Sequence, residues 1–186
     1  GVYNIYSAWD WAMDSLEITD CVFRRGANFF AVAWGQTLKL NNNLFERSSV
    51  SLNGFEPIDV YNCLFKNGRF EYYCYNSGGP NWIVRDNVFD SCVVQDNDSD
   101  SAFTADHNAY IATTNRLFGV TDASDVVLTN FAYAAGRFGN YYQVSTNLID
   151  AGSRFASVAG LGGYTTKTNQ VLEGTSTVDI GFHYAV

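Results

Sequence analysis

Apolar and polar residues alternate in five short stretches of the first 110 residues, and each stretch closes on an aromatic ring. The stretches are LEITDCVF (16–23), LKLNNNLF (38–45), IDVYNCLF (58–65), WIVRDNVF (82–89) and FTADHNAY (103–110). All follow the form apolar–x–apolar–x–(Asp/Asn/His)–(Cys/Asn)–x–(Phe/Tyr). Alternation with a period of two is the signature of a strand with one face buried. It turns Leu16/Ile18, Leu38/Leu40, Ile58/Val60, Trp82/Val84 and Phe103/Ala105 to one side. Glu17, Lys39, Asp59, Ile83 and Thr104 turn to the other. The closing aromatics Phe23, Phe45, Phe65, Phe89 and Tyr110 are spaced 22, 20, 24 and 21 residues apart. That spacing is too short for a strand–helix–strand unit of about 30 residues. No stretch sustains a 3.6-residue apolar period. Each repeat is therefore predicted to be one turn of a solenoid, stacked in parallel on the next at about 4.8 Å.

Charge and side-chain chemistry support this register. Stacking the motifs places Glu17, Lys39 and Asp59 in an outward row of alternating sign, worth about 0.2–1 kcal/mol per opposite pair. The next outward row reads Thr19, Asn41, Tyr61, Arg85, Asp106, with Arg85 beside Asp106. After each closing aromatic a bend leads to a second apolar position. Phe29, Val50, Phe70 and Val94 are predicted to form a second inward row, with a one-residue insertion at Phe29. A further column reads Cys21, Asn43, Cys63, Asn87, Asn108, in which asparagine amides bond along the stack and cysteine fits as a small apolar residue. The two prolines, Pro57 and Pro80, precede the strands at 58 and 82, where a missing amide donor is tolerated.

These repeats resemble the coils of right-handed parallel β-helix proteins of the pectate-lyase-like superfold. The closing segment, NLIDAGS (147–153) followed by VDIGFHY (178–184), resembles the C-terminal segments of secreted bacterial β-helix repeat proteins. The expected fold is all-β: a right-handed parallel β-helix (solenoid) with about five recognisable coils and an irregular C-terminal segment. Residues 1–115 are assigned to the coils, and residues 1–15 read as the second half of a turn whose first half is missing. Residues 116–186 are assigned to an irregular final coil or C-terminal cap, since an exposed last coil presents unpaired backbone groups. The resemblance implies an extracellular, cell-surface location.

Composition narrows the function. The chain has 186 residues, a net charge of −8, 16% charged residues and 16% aromatics. This suits one turn-rich all-β domain and opposes disorder. The acidic balance opposes nucleic acid as a partner, and no apolar run reaches the 18 residues of a membrane span. The four cysteines lack paired metal-ligand spacing. Cys21 and Cys63, two coils apart at about 9.6 Å, exceed the reach of a disulfide.

Candidate chemistry is sparse. Asp96, Asp98 and Asp100 alternate in an acidic turn and form a candidate Ca²⁺ site, although the glycine and distant glutamate of an EF-hand loop are missing. Glu17 and Asp59 face one side at a spacing near that of an inverting glycosidase pair, but Lys39 between them is expected to keep both ionised. His107, at a turn position held by Asp or Asn elsewhere, and His183, in the tail, read as structural. Trp11, Trp34, Phe55 and Tyr75 recur at equivalent points and form a candidate stripe for sugar rings or another protein copy. The sequence shows no catalytic grouping and calls for no cofactor beyond the candidate Ca²⁺. The expectation is a non-catalytic, structural or adhesive extracellular β-helix protein, a subunit of a surface fibre or filament, with self-association or extracellular polysaccharide as its partner. The alternative is a carbohydrate-binding module or a degenerate polysaccharide lyase or hydrolase.

Overall fold

The structure is a computed structural model and describes residues 3–7, 14–33, 35–54, 56–74, 82–97, 104–113, 115–117 and 122–186. Strand β1 (Tyr3–Ser7) precedes a first complete coil of β2 (Ser15–Thr19), β3 (Val22–Arg24) and β4 (Ala27–Val32). The second coil is β5 (Thr37–Asn41), β6 (Leu44–Glu46) and β7 (Ser49–Gly54); the third is β8 (Ile58–Tyr61), β9 (Leu64–Lys66) and β10 (Arg69–Cys74). The fourth is β11 (Ile83–Arg85), β12 (Val88–Asp90) and β13 (Val93–Asp96), followed by β14 (Thr104–Asp106), β15 (Ala109–Ile111) and β16 (Val126–Leu128).

Every coil lays its three strands onto three parallel sheets. Sheet one is β2-β5-β8-β11-β14, sheet two is β3-β6-β9-β12-β15-β16, and sheet three is β1-β4-β7-β10-β13. The chain is an all-β, right-handed parallel β-helix. Four coils are complete, fewer than the five motif copies suggest. The fifth copy supplies β14 and β15, and among the described residues no strand of sheet three follows them: the next strand, β16, lies on sheet two.

The motif register holds residue by residue. Leu16, Leu38 and Ile58 are aligned, as are Ile18, Leu40, Val60, Val84 and Ala105. The closing aromatics form an interior stack. Ring centroids are 4.9 Å apart for Phe23–Phe45, 5.1 Å for Phe45–Phe65, 5.1 Å for Phe65–Phe89 and 5.4 Å for Phe89–Tyr110, with planes within 12° of parallel. Such contacts are worth about 0.5–1.5 kcal/mol each beyond area burial. Parallel stacking follows because like rings stand at the same register position one coil apart.

Two corners per coil lie in the left-handed backbone region. The first corner holds Asp20, Asn42, Asn62, Asp86 and His107, at φ of 50–60°. Asn, Asp and His are the non-glycine residues that best tolerate this conformation, which explains why His107 substitutes in an Asp/Asn position. The second corner holds Arg25, Arg47, Asn67, Ser91 and Ala112. Between corner and strand runs the amide column. Cys21 N donates to Asn43 Oδ1 (2.9 Å), Cys63 N to Asn87 Oδ1 (2.9 Å), Asn87 N to Asn108 Oδ1 (3.0 Å) and Asn108 N to Asp125 Oδ1 (2.9 Å). Each bond satisfies a backbone amide that turns away from the ladder at the corner. Asp125 belongs to this column although its segment lies beyond the fifth motif copy. Asp125-Val126-Val127-Leu128 aligns with Asn108-Ala109-Tyr110-Ile111.

One register expectation is corrected. Asn28, not Phe29, aligns with Val50, Phe70 and Val94, and the first coil carries no insertion at that point. Asn28 is buried, and its amide nitrogen donates to Ser48 Oγ at 2.9 Å. Phe29 faces outward and stacks on Tyr6 at 5.3 Å. A shift of one residue in a strand moves a side chain to the opposite face. None of the four cysteines is in a disulfide, and burial pushes the Cys63 and Cys92 thiols up to about 12.

The C-terminal residues pack along the flank of the coil stack. They contain the antiparallel pair β17 (Tyr133–Ala134) and β18 (Tyr142–Gln143), the short helix α1 (Ala156–Ala159), and the antiparallel pair β19 (Tyr164–Thr165) and β20 (Tyr184–Ala185). Leu44, Leu64, Val88, Ala109 and Ile111 point out of sheet two and are buried under Tyr142, Leu148, Ile180, Phe182 and Tyr184. This strap creates a second core beside the coil interior.

Candidate functional site

The tail motif is explained by how closely the strap approaches the first corner. Gly152 N donates to Val178 O at 2.9 Å, and a Cβ at Gly152 would stand 2.6 Å from that oxygen and 3.0 Å from Asp86 Oδ1. Gly181 N donates to Asp86 O at 2.8 Å, at a φ of +106°, and a Cβ at Gly181 would stand 2.7 Å from Val88 Cγ2. Both positions need glycine, one for space and the other for space and backbone conformation. Asp179 Oδ1 accepts from Asp150 N at 2.7 Å and its Oδ2 accepts from Thr166 Oγ1. The two Asp-x-Gly triplets are thus bound to each other and to the coil.

The corner side chains receive the strap. Asn42 donates to His183 O at 2.9 Å and accepts from His183 N at 2.7 Å. Asn62 Nδ2 donates to Asp179 O at 3.2 Å. Tyr164 OH donates to Asp20 Oδ2 at 2.7 Å. Asp86 is fully buried and accepts from Ser153 N at 2.6 Å and Ser153 Oγ at 2.9 Å, with Arg154 Nη1 at 3.3 Å. Burial pushes the Asp86 carboxyl up, against the opposing pull of Arg154 and the Ser153 bonds.

Arg154 is the residue that links this dock to open surface. Its Nη2 donates to Asn62 Oδ1 at 3.1 Å, and its guanidinium lies 4.0 Å from the centre of the Tyr61 ring. Beside it, the outward face of sheet one and helix α1 enclose a cleft of about 310 Å³, lined by Lys39, Asn41, Asp59, Tyr61, Arg154, Val158 and Ala159. That volume lies at the lower end of the roughly 300–1,000 Å³ typical of ligand sites. The cleft brings cations, an amide, a carboxyl and a phenol into one cavity with an apolar rim.

The charges on this face are unequal. Lys39 Nζ lies 2.9 Å from Glu17 Oε1, and the hydrogen bond and charge of Lys39 hold the Glu17 carboxyl below its usual value. Asp59 behaves oppositely. Burial pushes its carboxyl up, more than Lys39 and Arg154 pull it down. Lys39 thus pulls both carboxyls down, but it contacts Glu17 directly, and at Asp59 burial outweighs its pull. The Tyr61 hydroxyl is also pushed up, first by burial and then by the Asp59 charge. Further along the face, Arg85 Nε is 2.8 Å from Asp106 Oδ1, and His107 Nδ1 is 2.9 Å from the same oxygen. The Arg85–Asp106 pair was legible in the sequence; the His107 contact was not.

Of the candidate site residues, Trp11, Trp34, Phe55 and Tyr75 lie outside the described residues, as do Asp98 and Asp100. Asp96 closes β13 and is exposed. Among the described residues no group of three or more His, Cys, Asp or Glu side chains is arranged to hold a metal ion. His183 is buried, with Glu173 Oε1 3.7 Å from its Nε2. Burial pushes the His183 ring down and the Glu173 carboxyl up, the latter helped by neighbouring Asp179.

Sequence reading missed Arg154 because 92 residues separate it from Asn62. One signal was present. The position before each closing aromatic reads Val22, Leu44, Leu64, Val88, Ala109: an outward apolar column that calls for a cover. No protein-family model, no curated protein and no solved structure matches this chain.

Proposed function

We propose that this chain is a non-catalytic adhesive module of a secreted bacterial surface protein, built on the pectate-lyase-like β-helix, and that it holds polysaccharide in the cleft between Lys39 and Arg154. The cleft carries this reading. A sugar chain presents many hydroxyls and flat apolar ring faces, so it needs donors, acceptors and an apolar or aromatic surface close together. Lys39 and Arg154 donate, Asp59 accepts, Asn41 does both, and Val158 and Ala159 form an apolar lip. All but the lip and Arg154 stand on strands β5 and β8, whose ladder fixes their spacing.

The test is a panel of defined hexasaccharides, neutral and acidic, titrated calorimetrically against the chain, with parallel assays for unsaturated uronates and new reducing ends. Binding without product release, weakened by Asp59→Asn and Lys39→Gln, is the expected result. No binding across the panel defeats the reading. A second reading, a hydrolase with Asp59 as general acid, is favoured by the raised Asp59 carboxyl. New reducing ends that disappear in Asp59→Asn would establish it in place of the first.

A further inference from the structure

The geometry points to the C-terminal strap as a detachable wall of the cleft, with Arg154 as its positioning residue, so that saccharide binding and strap docking stabilise one another. The inference rests on the binding reading above and adds a coupling to it.

Two walls of different origin meet at the cleft. Lys39, Asn41, Asp59 and Tyr61 belong to the coil stack, while Arg154, Val158 and Ala159 belong to the strap. Beside the cleft the strap meets the coil through Ser153 and Arg154. Arg154 spans Asp86 (3.3 Å), Asn62 (3.1 Å) and the Tyr61 ring (4.0 Å). Ser153 N and Oγ bond to Asp86 at 2.6 and 2.9 Å. Val158, between Ala156 and Ala159, which face the small cluster under helix α1, is 72% exposed, so α1 is not clamped from its outer side. The segment around α1 has a small cluster of its own, Ala156, Leu161 and Val178, apart from the core inside the stack and from the core that joins the strap to sheet two. A segment with a small cluster of its own and a polar dock is the kind of unit that opens separately from the rest of a fold.

Arg154 does two jobs with one guanidinium. The edge turned to Asp86 and Asn62 fixes the strap, and the face over Tyr61 completes the cleft. Ligand bound against Arg154 and Lys39 touches both walls. It binds only the docked form, and linkage then requires that it oppose strap release by the factor 1 + [L]/Kd. Lysine at 154 cannot reproduce this, because an ammonium has no planar fork to reach Asp86 and Asn62 while lying on Tyr61.

Hydrogen exchange on the full chain tests the coupling, with the best-binding hexasaccharide of the panel as probe. The reporters of strap release are the amides of Gly152, Ser153, Gly181 and His183, whose bonds cross between strap and coil or close the strap itself. The reporters of the coil are the amides of Val88 and Ala109, bonded to Cys63 O and Asn87 O. At 100 times Kd the strap amides are expected to slow about 100-fold. Coil amides slow in any case, because full unfolding destroys the site whatever its walls. Arg154→Gln and Arg154→Lys are expected to speed strap exchange in the free chain and weaken binding about tenfold or more. Lys39→Gln is expected to weaken binding and leave strap exchange in the free chain unchanged. Strap amides that ignore saturating ligand while coil amides slow overturn the coupling and leave the binding reading intact. A native chain that binds no hexasaccharide overturns both.

Discussion

Asn87→Ala and Cys63→Ala separate two explanations of the amide column: hydrogen bonding along the stack, or simple filling of space. The two residues are equally buried and stand one coil apart in the same column. Asn87 Oδ1 accepts from Cys63 N at 2.9 Å, and Asn87 Nδ2 donates to Val60 O at 2.9 Å and Arg85 O at 2.8 Å. Alanine at 87 leaves the Cys63 N–H buried without an acceptor, which costs about 1–3 kcal/mol, and removes two donated bonds at about 1 kcal/mol each. The sum is about 3–5 kcal/mol. Cys63 Sγ has weaker contacts, at 3.3 Å to Tyr61 O and 3.9 Å to Asn43 Nδ2. Alanine at 63 forfeits about one buried heavy atom, roughly 1 kcal/mol. Urea denaturation followed by circular dichroism gives both values from the midpoints, provided the slopes match that of the native chain. In thermal unfolding, Asn87→Ala should lower Tm by about 10 °C, at roughly 2–4 °C per kcal/mol for a chain of this size. Equal losses in the two variants would refute the hydrogen-bond account and leave packing alone to explain the column.

Other outcomes follow from single contacts. Gly68→Ala sets a Cβ 2.1 Å from Ser48 O, a backbone atom fixed by its bond from Arg69 N, and should cost about 3 kcal/mol or prevent folding, whereas Gly163→Ala, where no atom lies within 4 Å of the new carbon, should be nearly neutral; chemical denaturation compares them. Carboxyl titration by NMR should place Glu17 below 4.5 and Asp59 above 3.8, and Lys39→Gln should raise both, Glu17 the more. Glu173 folds with its carboxyl pushed up, so its contribution to stability is full below its ordinary value of 4.5 and declines as pH rises above that; Glu173→Gln should therefore shrink the loss of stability between about pH 5 and pH 9. His183 has the opposite sign: its ring is pushed down, its contribution is full above its ordinary value of 6.5 and declines below it, and His183→Gln should flatten the acid side of the same stability curve.

Much of the coil was readable because each of its contacts repeats. A residue in one coil meets its counterpart 20–24 positions away, as Phe45 meets Phe65 and Glu17 meets Lys39, so five weak copies reinforce one register. The error at Phe29 shows the limit of that reading. Apolarity favoured Phe29 for the interior, but a buried amide with a partner at Ser48 outcompeted it, and the partner is visible only once the coils are stacked. Asp125 was missed for a related reason. It lies 17 residues beyond Asn108, so its column falls outside the spacing of the motif.

The sequence by itself determined the solenoid, its inward aromatic stack and its outward charge rows, because those interactions are periodic and period is a property of the chain. It also carried the two Asp-x-Gly triplets of the tail, without revealing what they were for. Only the tertiary structure decided that the tail lies along the flank, that Arg154 reaches Asn62 and Asp86, and that the corner side chains receive the tail. Those contacts join positions 67, 92, 117 and 141 residues apart, once each, and a contact that occurs once leaves no periodic trace in the chain that makes it.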